Sequence, residues 1–225
     1  MALSPLNNIK TAIKITEKAL ADALKFIRPG ATESFIAKHL FQRVKTYGGD
    51  GFSFRPIVAS GSRSALPHGR ASNKKLMRGE TVVVDFGVKY KGFCSDMTRT
   101  FVVGTPSKKQ KRIYKILLMA QKKAILAVKA GIPAKIVDKA ARDHIQSHGL
   151  GKYFIHSTGH GIAKKVHEAP KISKRNGNML KSGTVVTIEP GIYLKGWGGM
   201  RVEDMLLITR SGGELLTKFS RELRI

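Results

Sequence analysis

The sequence predicts an α+β protein made of two pseudo-twofold helix-plus-hairpin halves with a mostly antiparallel sheet. Three observations support this. Apolar residues recur at helical spacing in two separate parts of the chain, a valine-rich β segment follows each part, and GETVVVDFGVKYKG (79–92) resembles GTVVTIEPGIYLKG (183–196). Thr-Val-Val is common in strands, so chance is the alternative explanation. The matching positions of the acidic residues favour a structural repeat.

The first half is predicted to begin with two helices. Residues 5–28 carry apolar side chains at helical spacing and are followed by Pro29-Gly30, which stops a helix. Thr32 is a suitable N-cap for a second helix that runs through Val44. A strand is then expected over 81–87, and the returning strand over 93–103.

The second half repeats this order. A basic helix is predicted over 107–130, and Pro133 opens another helix that ends near Ser147. The strand at 184–189 is expected to pair with the segment at 200–209. No low-complexity linker divides the chain, so we expect one domain.

The composition excludes several classes of protein. The 225 residues include 42% hydrophobic and 25% charged residues, which is typical of a globular chain rather than a disordered one. The single cysteine, Cys94, excludes an internal disulfide framework, and no apolar run has the length of a membrane span. The first residues lack the apolar core of a signal peptide. We therefore expect a cytoplasmic protein without membrane association.

The charge balance is unusual. With 41 Lys and Arg against 15 Asp and Glu, the formal net charge is +26. Such a chain is expected to attract polyanions weakly and without specificity. The alternative is that these side chains only solvate helix faces, because they are spread along the chain rather than gathered in one tail.

Four acidic residues, Asp85, Asp96, Glu189 and Glu203, lie in apolar β-like segments. Burial of an isolated carboxylate is costly, so burial of several requires a reason. A two-residue turn at Tyr90-Lys91 would place Asp85 directly opposite Asp96 on one face of the first hairpin. Two carboxylates that close repel each other unless a proton or a cation lies between them.

Histidines lie between the two hairpins, in HSTGHGIAKKVHE. His160 is flanked by glycines, which indicates an imidazole presented where backbone comes close. A lone histidine is more often structural than a ligand, but His156 and His167 lie within the same short segment. Four carboxylates and one imidazole suit two Mn²⁺, Co²⁺, Zn²⁺ or Fe²⁺ ions rather than a thiolate zinc site.

Nearly the whole chain resembles the pita-bread metallopeptidases, which include methionine aminopeptidases, Xaa-Pro aminopeptidases, prolidases and creatinase. The motifs that carry the resemblance are VVVDFGVKYKGFCSDMTRTF, HSTGHGIAKKVHEAP, TIEPGIY and GMRVEDMLLIT. The resemblance implies a pita-bread fold and two divalent metal ions, with Mn²⁺ the first choice. The ligands that it implies are Asp85, Asp96, His160, Glu189 and Glu203, with Asp96 and Glu203 bridging the two ions.

The motifs IVASGSRSALPHGRAS and GMRVED resemble the proline-specific branch of this family. That branch implies hydrolysis of the N-terminal Xaa-Pro bond of a peptide. Methionine aminopeptidase is the alternative enzyme, and a non-catalytic basic binding module of the same fold is the alternative outside enzymes. We expect residues 1–225 to form a single catalytic domain without an N-terminal creatinase-like domain, because the catalytic pattern starts near residue 5. The oligomeric state expected is a monomer or a homodimer.

The resemblance also implies roles for individual side chains. Glu189 would act as general base and then general acid, while His68 and His167 would donate hydrogen bonds to the substrate carbonyl and the tetrahedral intermediate. The alternatives are a loop histidine at 68 and a structural hydrogen bond at 167. His156, Tyr193 and Arg201 would bind or orient the substrate; a packed aromatic and an ion pair between Arg201 and Asp204 are the structural alternatives.

Overall fold

The computed structural model describes residues 4–224, which form an α+β structure in two halves. Each half begins with two helices, as the sequence predicted. The helices are α1 Pro5–Ala23, α2 Glu33–Thr46, α3 Lys108–Ala127 and α4 Ala134–Ser147. None of the helices in this described part of the chain is long and apolar enough to cross a membrane.

Local side-chain contacts explain where these helices begin. The Thr32 hydroxyl accepts from the Phe35 backbone N–H at 3.1 Å, which confirms Thr32 as an N-cap. Ser107 and Gln110 form a reciprocal capping box at the start of α3. Pro133 is the N-cap residue of α4, where its missing N–H costs nothing.

The β-strands form small antiparallel sheets. The strands are β1 Gly51–Phe52, β2 Ile57–Ser60, β3 Thr81–Phe86, β4 Val88–Tyr90, β5 Phe93–Cys94, β6 Met97–Val102, β7 Gly159–Gly161, β8 Glu168–Ile172, β9 Val185–Ile188, β10 Gly191–Leu194, β11 Gly198–Arg201, β12 Asp204–Ile208 and β13 Gly213–Leu215. Their sheet orders are β2-β3-β6, β1-β4-β5, β13-β12-β9-β7-β8 and β10-β11.

The two halves repeat the same plan. In the first half β3 and β4 run out and β5 and β6 return, and in the second half β9 and β10 run out and β11 and β12 return. Each hairpin packs its apolar side chains against the two helices that precede it, so each half has its own core. The repeat that the sequence suggested at 79–92 and 183–196 therefore corresponds to two equivalent hairpins.

The register predicted for the first hairpin is wrong by two residues. Asp85 pairs with Thr98 rather than with Asp96. The turn lies at Lys91-Gly92, where both residues have positive φ (46° and 79°), because a two-residue hairpin turn of this hand needs a residue such as glycine there. The returning strand is also interrupted between Cys94 and Met97. A shift of two residues preserves the alternation of faces, so Asp96 keeps its side of the sheet.

The two hairpins lie side by side, as the predicted pseudo-twofold arrangement requires. The Glu203 backbone N–H donates to the Thr98 carbonyl at 3.2 Å, and the Arg201 N–H donates to the Thr100 hydroxyl at 3.0 Å. Arg99 and Asp204 form a buried ion pair at 2.7 Å across the same boundary. Residues of β6 and the segment before β12 are thereby held in direct contact.

Candidate metal centre

The five predicted ligand residues come from five places in the two halves and meet in one cavity. Asp85 lies in β3 and His160 in β7, while Asp96 and Glu203 each directly precede the last strand of their hairpin. Glu189 directly follows β9. All five line a cavity of about 510 Å³. These residues are therefore brought together only because the two hairpins lie side by side.

The position of His160 depends on its neighbouring glycines. A Cβ atom at Gly159 would collide with the Thr187 carbonyl, and one at Gly161 would collide with the Ala169 carbonyl. The strand β7 can therefore fit between β8 and β9 only with glycine on each side of the histidine. This explains the Gly-His-Gly pattern that the sequence showed.

Distances within the group suit metal coordination. The His160 Nε2 atom lies 3.4 Å from the Glu189 Oε1 atom and 3.7 Å from the Asp96 Oδ2 atom. Asp96, His160 and Glu203 each offer one ligand atom, and these three atoms lie within 4.8 Å of one another. An ion placed among them would accept nitrogen and oxygen ligands from three separate segments.

Two carboxylates in the cavity have one oxygen hydrogen-bonded by the protein and one oxygen without a donor among the described residues. The Asp85 Oδ2 atom accepts from Arg201 at 2.5 Å, and the Glu203 Oε2 atom accepts from the Thr98 hydroxyl at 2.7 Å. The other oxygen of each, Asp85 Oδ1 and Glu203 Oε1, is buried without a hydrogen-bond partner among the described residues. A buried acceptor left without a donor is costly, so these atoms fit a divalent cation as their partner.

The electrostatics of the carboxylates lead to the same conclusion. Burial raises the pKa of Asp96 and of Glu203 well above the ordinary carboxyl value, and the neighbouring acids raise it further. Burial also raises the pKa of Glu189 to about 8, although Arg201 opposes this rise. The four acids repel one another as anions, and a bound cation would remove the repulsion.

His160 is suited to the role of a neutral ligand. Burial lowers the pKa of its imidazole to about 4, so the ring is uncharged at neutral pH. Its Nδ1 atom lies 3.1 Å from the Gly161 carbonyl, which requires the proton on Nδ1 and leaves the Nε2 lone pair free. The free nitrogen is the one that faces Glu189 and Asp96.

A continuous series of hydrogen bonds links Arg201, Tyr193 and His156. The Arg201 guanidinium donates to the Tyr193 hydroxyl at 2.6 Å, and the His156 Nε2 atom lies 2.8 Å from the same hydroxyl. Burial raises the pKa of Tyr193 to about 12 and lowers that of His156 to about 4. Asp204, the alternative partner of Arg201, pairs instead with Arg99 and Arg221. Tyr193 is buried behind the cavity wall, whereas His156 and Arg201 line it.

The other two predicted histidines lie at the exposed side of the cavity. His68 and His167 both line it and both are exposed. The His167 ring contacts the His160 ring edge to face, with 4.4 Å between their centroids. An exposed imidazole at the rim has room to approach a bound peptide, which a buried one does not.

Sequence reasoning missed several residues of the site. Thr98 donates to Glu203 and accepts from the Arg201 Nε–H at 3.1 Å. Thr98 follows Asp96 by two positions in an extended segment, where residues two apart lie on the same face. This spacing was the signal in the sequence that could have placed Thr98 near the acids. Thr187 precedes Glu189 by two positions in the same way, and its hydroxyl accepts from the His160 N–H at 3.2 Å.

An apolar part of the cavity wall was also missed. Phe54, Ile57 and Val166 line the cavity together with the acids. These residues come from separate loops and strands, so no local pattern in the sequence could have grouped them. They provide a surface that a non-polar ring or side chain can contact.

Known proteins are similar to this chain in sequence and in fold. The profile of metallopeptidase family M24 matches residues 7–210. The chain is 48% identical over 215 residues to an Xaa-Pro dipeptidase of Pyrococcus furiosus, covering 96% of this chain and 62% of that protein. It is also 48% identical over 215 residues to an Xaa-Pro dipeptidase of Pyrococcus horikoshii, with 96% and 61% covered. The chain thus spans about three fifths of the length of these relatives.

Solved structures agree with this match. A prolidase from Pyrococcus furiosus superposes with a TM-score of 0.95 at 46% identity, covering 98% of this chain and 65% of that one. An Xaa-Pro dipeptidase from Bacillus anthracis superposes with a TM-score of 0.97 at 45% identity, covering 100% and 63%. The pita-bread fold class predicted from the sequence is thereby confirmed.

Proposed function

Because the chain belongs to metallopeptidase family M24, we propose that it hydrolyses the N-terminal Xaa-Pro bond of peptides with the help of divalent metal. The relatives that support proline specificity are named Xaa-Pro dipeptidase, and the chain spans only part of their length. The proposal therefore concerns the chemistry that residues 1–225 perform as one catalytic unit.

One observation carries the proposal most directly. Four carboxylates and one neutral imidazole line a single cavity, and two of the carboxylate oxygens in it are buried without a donor among the described residues. A binding module of the same fold has no use for such an arrangement, because each uncompensated buried acid lowers its stability. The arrangement is useful to a metal-dependent hydrolase.

The residues that would hold the metal are the five predicted from the sequence. In this proposal Asp85, Asp96, His160, Glu189 and Glu203 would hold two divalent ions, with Asp96 and Glu203 shared between them, Asp85 on one ion, and His160 and Glu189 on the other. The donor set of carboxylate oxygens and one nitrogen suits Mn²⁺ first, with Co²⁺, Zn²⁺ and Fe²⁺ as alternatives. The Arg201 guanidinium at 2.5 Å and the Thr98 hydroxyl at 2.7 Å fix the orientation of Asp85 and Glu203.

When bound, the ions would polarise the scissile carbonyl and lower the pKa of a water molecule. Glu189 is the group we propose to take the proton from that water and to return it to the leaving nitrogen. Without a cation, burial raises the pKa of this carboxyl group to about 8; a bound cation would favour its ionised form, which is the form that accepts a proton. His68 and His167, at the exposed side of the cavity, would donate to the carbonyl oxygen as it gains charge.

Recognition of proline is the part that depends on the cavity wall. The nitrogen of an Xaa-Pro bond has no N–H, so the site must hold the ring by contact rather than by a hydrogen bond to that nitrogen. Phe54, Ile57 and Val166 offer apolar contact, and His156 lies at the same cavity with its ring uncharged. Tyr193 and Arg201 would keep His156 in place through their hydrogen bonds.

Two further properties belong to the proposal. Cys94 is a free, buried thiol, which is consistent with a reducing, cytoplasmic environment. The proposed oligomeric state is a monomer or a homodimer.

The test compares matched peptides under three metal conditions. The protein is incubated with Ala-Pro, Ala-Pro-Ala, Ala-Ala-Ala and Met-Ala-Ala after chelation, after addition of Mn²⁺, and after addition of Mg²⁺. We expect Mn²⁺-dependent release of the N-terminal residue from one or both of the Xaa-Pro peptides and from neither of the others. Preferred cleavage of Met-Ala-Ala would replace the proposal with methionine aminopeptidase, and no cleavage of any peptide would favour the binding module.

A further inference from the structure

Helix α3 presents seven basic side chains to solvent and contains no acidic residue. We call this surface the α3 basic face. Its members are Lys108, Lys109, Lys111, Arg112, Lys115, Lys122 and Lys123. Helix α4 is different, because its Arg142 and Lys139 pair with Asp138 and Asp143 four positions away.

The α3 basic face is unfavourable for the isolated helix. Lys108 and Arg112 are four residues apart, and so are Lys111 and Lys115; like charges at this spacing destabilise a helix. The first turn has cations and no acid, which also opposes the helix dipole. Acidic residues at these exposed positions would relieve both effects, and the sequence has none there.

No acidic side chain in the described chain neutralises this charge. No side chain of the α3 basic face forms an ion pair with another residue within 4–224. An aromatic contact extends the surface, since the Lys109 Nζ atom lies 4.7 Å above the Trp197 ring and Lys195 belongs to the same turn.

The distribution of charge over the whole protein strengthens this surface. Six of the 15 acidic side chains are buried, whereas Arg99 and Arg201 are the Lys or Arg residues found buried in the described chain. The acids are thus directed inward while the cations remain outside, so the surface is more positive than the net charge of +26 indicates.

We propose that the α3 basic face binds the phosphate backbone of nucleic acid without sequence preference. The distance from Lys108 to Lys123 along a helix is roughly 22 Å, which corresponds to about six phosphates of one strand. No α3 residue lines the metal cavity. Bound nucleic acid would therefore leave the cavity open to peptides, and this inference is independent of the proposed peptidase activity.

Other polyanionic partners fit the surface less well. A helix that lies in a membrane interface needs a free apolar face, but the apolar face of α3 is packed in the core through Ile113, Leu117, Ala120 and Ala124. An acidic protein partner would need apolar or aromatic anchors at the centre of its contact. Trp197, the aromatic residue at this surface, lies beneath the Lys109 side chain, and the exposed apolar residues of α3, Met119 and Leu126, lie towards its C-terminal half, away from most of the cations.

The test measures binding of a labelled duplex by fluorescence anisotropy as a function of salt. The probe is a duplex of about 20 base pairs, and the variant combines Lys111→Gln, Arg112→Gln and Lys115→Gln. The matched control combines Lys14→Gln, Lys38→Gln and Lys181→Gln, which removes the same charge from exposed positions elsewhere. Two other probes are titrated in parallel: vesicles that contain phosphatidylserine, and a soluble poly-glutamate peptide.

We expect the α3 variant to lose about ten-fold or more in affinity and to reduce the salt slope by about 2 to 3, since each phosphate contact contributes about 0.9. The control variant should change affinity about two-fold or less. Two duplexes of unrelated sequence should bind equally well. Equal losses in the two variants would overturn the proposal, as would tighter binding to the vesicles or to poly-glutamate than to the duplex.

A second readout concerns stability. Removal of like-charge neighbours should leave the unfolding temperature of the α3 variant equal to that of the parent or higher. A lower unfolding temperature would show that these cations are structural and would contradict the inference.

Discussion

The Thr98 hydroxyl donates a hydrogen bond to the Oε2 atom of Glu203 at 2.7 Å, across the boundary between the two hairpins. The other oxygen of this carboxylate, Glu203 Oε1, is buried and has no hydrogen-bond partner among residues 4–224. The first half of the chain thus orients a proposed metal ligand that the second half supplies. Loss of this one contact should affect metal binding before it affects the fold.

Thr98→Val should weaken metal binding because it removes the hydroxyl that donates to Glu203 and accepts from the Arg201 Nε–H, while preserving the shape of the side chain. Loss of such an outer partner typically costs about 10–100-fold in metal affinity or activity. Titration of Mn²⁺ against activity and by calorimetry measures the change. Thr100→Val is the control, because Thr100 lies in the same strand and the partners of its hydroxyl within the described part of the chain are the Arg201 backbone carbonyl and N–H. Equal effects of the two substitutions would contradict the assignment.

Asp96→Asn should reduce kcat/KM by more than the roughly 10–100-fold expected for an outer partner, since it alters a proposed bridging ligand. The folded structure should survive, because the removal of one buried carboxylate also removes repulsion from Glu203 and Asp85. Circular dichroism checks that the variant is folded, and the Mn²⁺ content per chain checks that a ligand has been lost. Asp143→Asn, on the exposed side of α4, should leave both quantities unchanged. Full Mn²⁺ binding by the Asp96→Asn variant would remove Asp96 from the ligand set.

His156→Ala should narrow the preference for Xaa-Pro over Xaa-Ala peptides. His156 lines the cavity and is held by Tyr193 at 2.8 Å, so its removal opens the wall beside the bound ring. We expect KM for the Xaa-Pro peptide to rise more than KM for the Xaa-Ala peptide. His144→Ala on α4, outside the metal cavity, is the control. An unchanged ratio of the two kcat/KM values would show that His156 does not contribute to specificity.

The metal-free protein should lose stability as the pH rises from about 7 to about 9. Burial raises the pKa of Glu189 to about 8, and that of Asp96 and Glu203 well above the ordinary value. The folded state then retains protons that the unfolded state has released, so deprotonation favours unfolding. Burial lowers the pKa of His156 and His160 to about 4. These histidines therefore make the folded state more stable as the pH rises, but only up to their unfolded pKa near 6.5, which lies below the range tested.

The measurement is the unfolding temperature with chelator and with saturating Mn²⁺ across this range. The stabilisation that Mn²⁺ provides should grow with pH, because the ion binds the ionised carboxylates. A metal-free unfolding temperature that is constant or rises over the same range would show that the acids are not strained as anions.

The helices and the main strands of both halves could be predicted from the sequence because their signals are local. Thr32 caps a helix through atoms three residues away, and Pro133 opens one through its own ring. The candidate ligands could also be chosen from local signals. An acid in a valine-rich strand and a histidine between two glycines are visible in short segments, before anything is known of their neighbours.

The register of the first hairpin could not be fixed in this way. Turns at Tyr90-Lys91 and at Lys91-Gly92 both fit the composition, and only the φ angles of Lys91 and Gly92 distinguish them. The prediction failed by two residues, yet Asp85 and Asp96 still line one cavity because side chains alternate with a period of two.

The sequence by itself determined the α+β class, the repeat and the set of acids and histidine that meet in the cavity, because periodicity, capping and motif spacing act over a few residues. The tertiary structure decided which atoms meet: Arg201 pairs with Asp85 rather than Asp204, and Thr98 holds Glu203. These partners are more than 100 positions apart in the chain. Their contact depends on the packing of one half against the other, which no local pattern encodes.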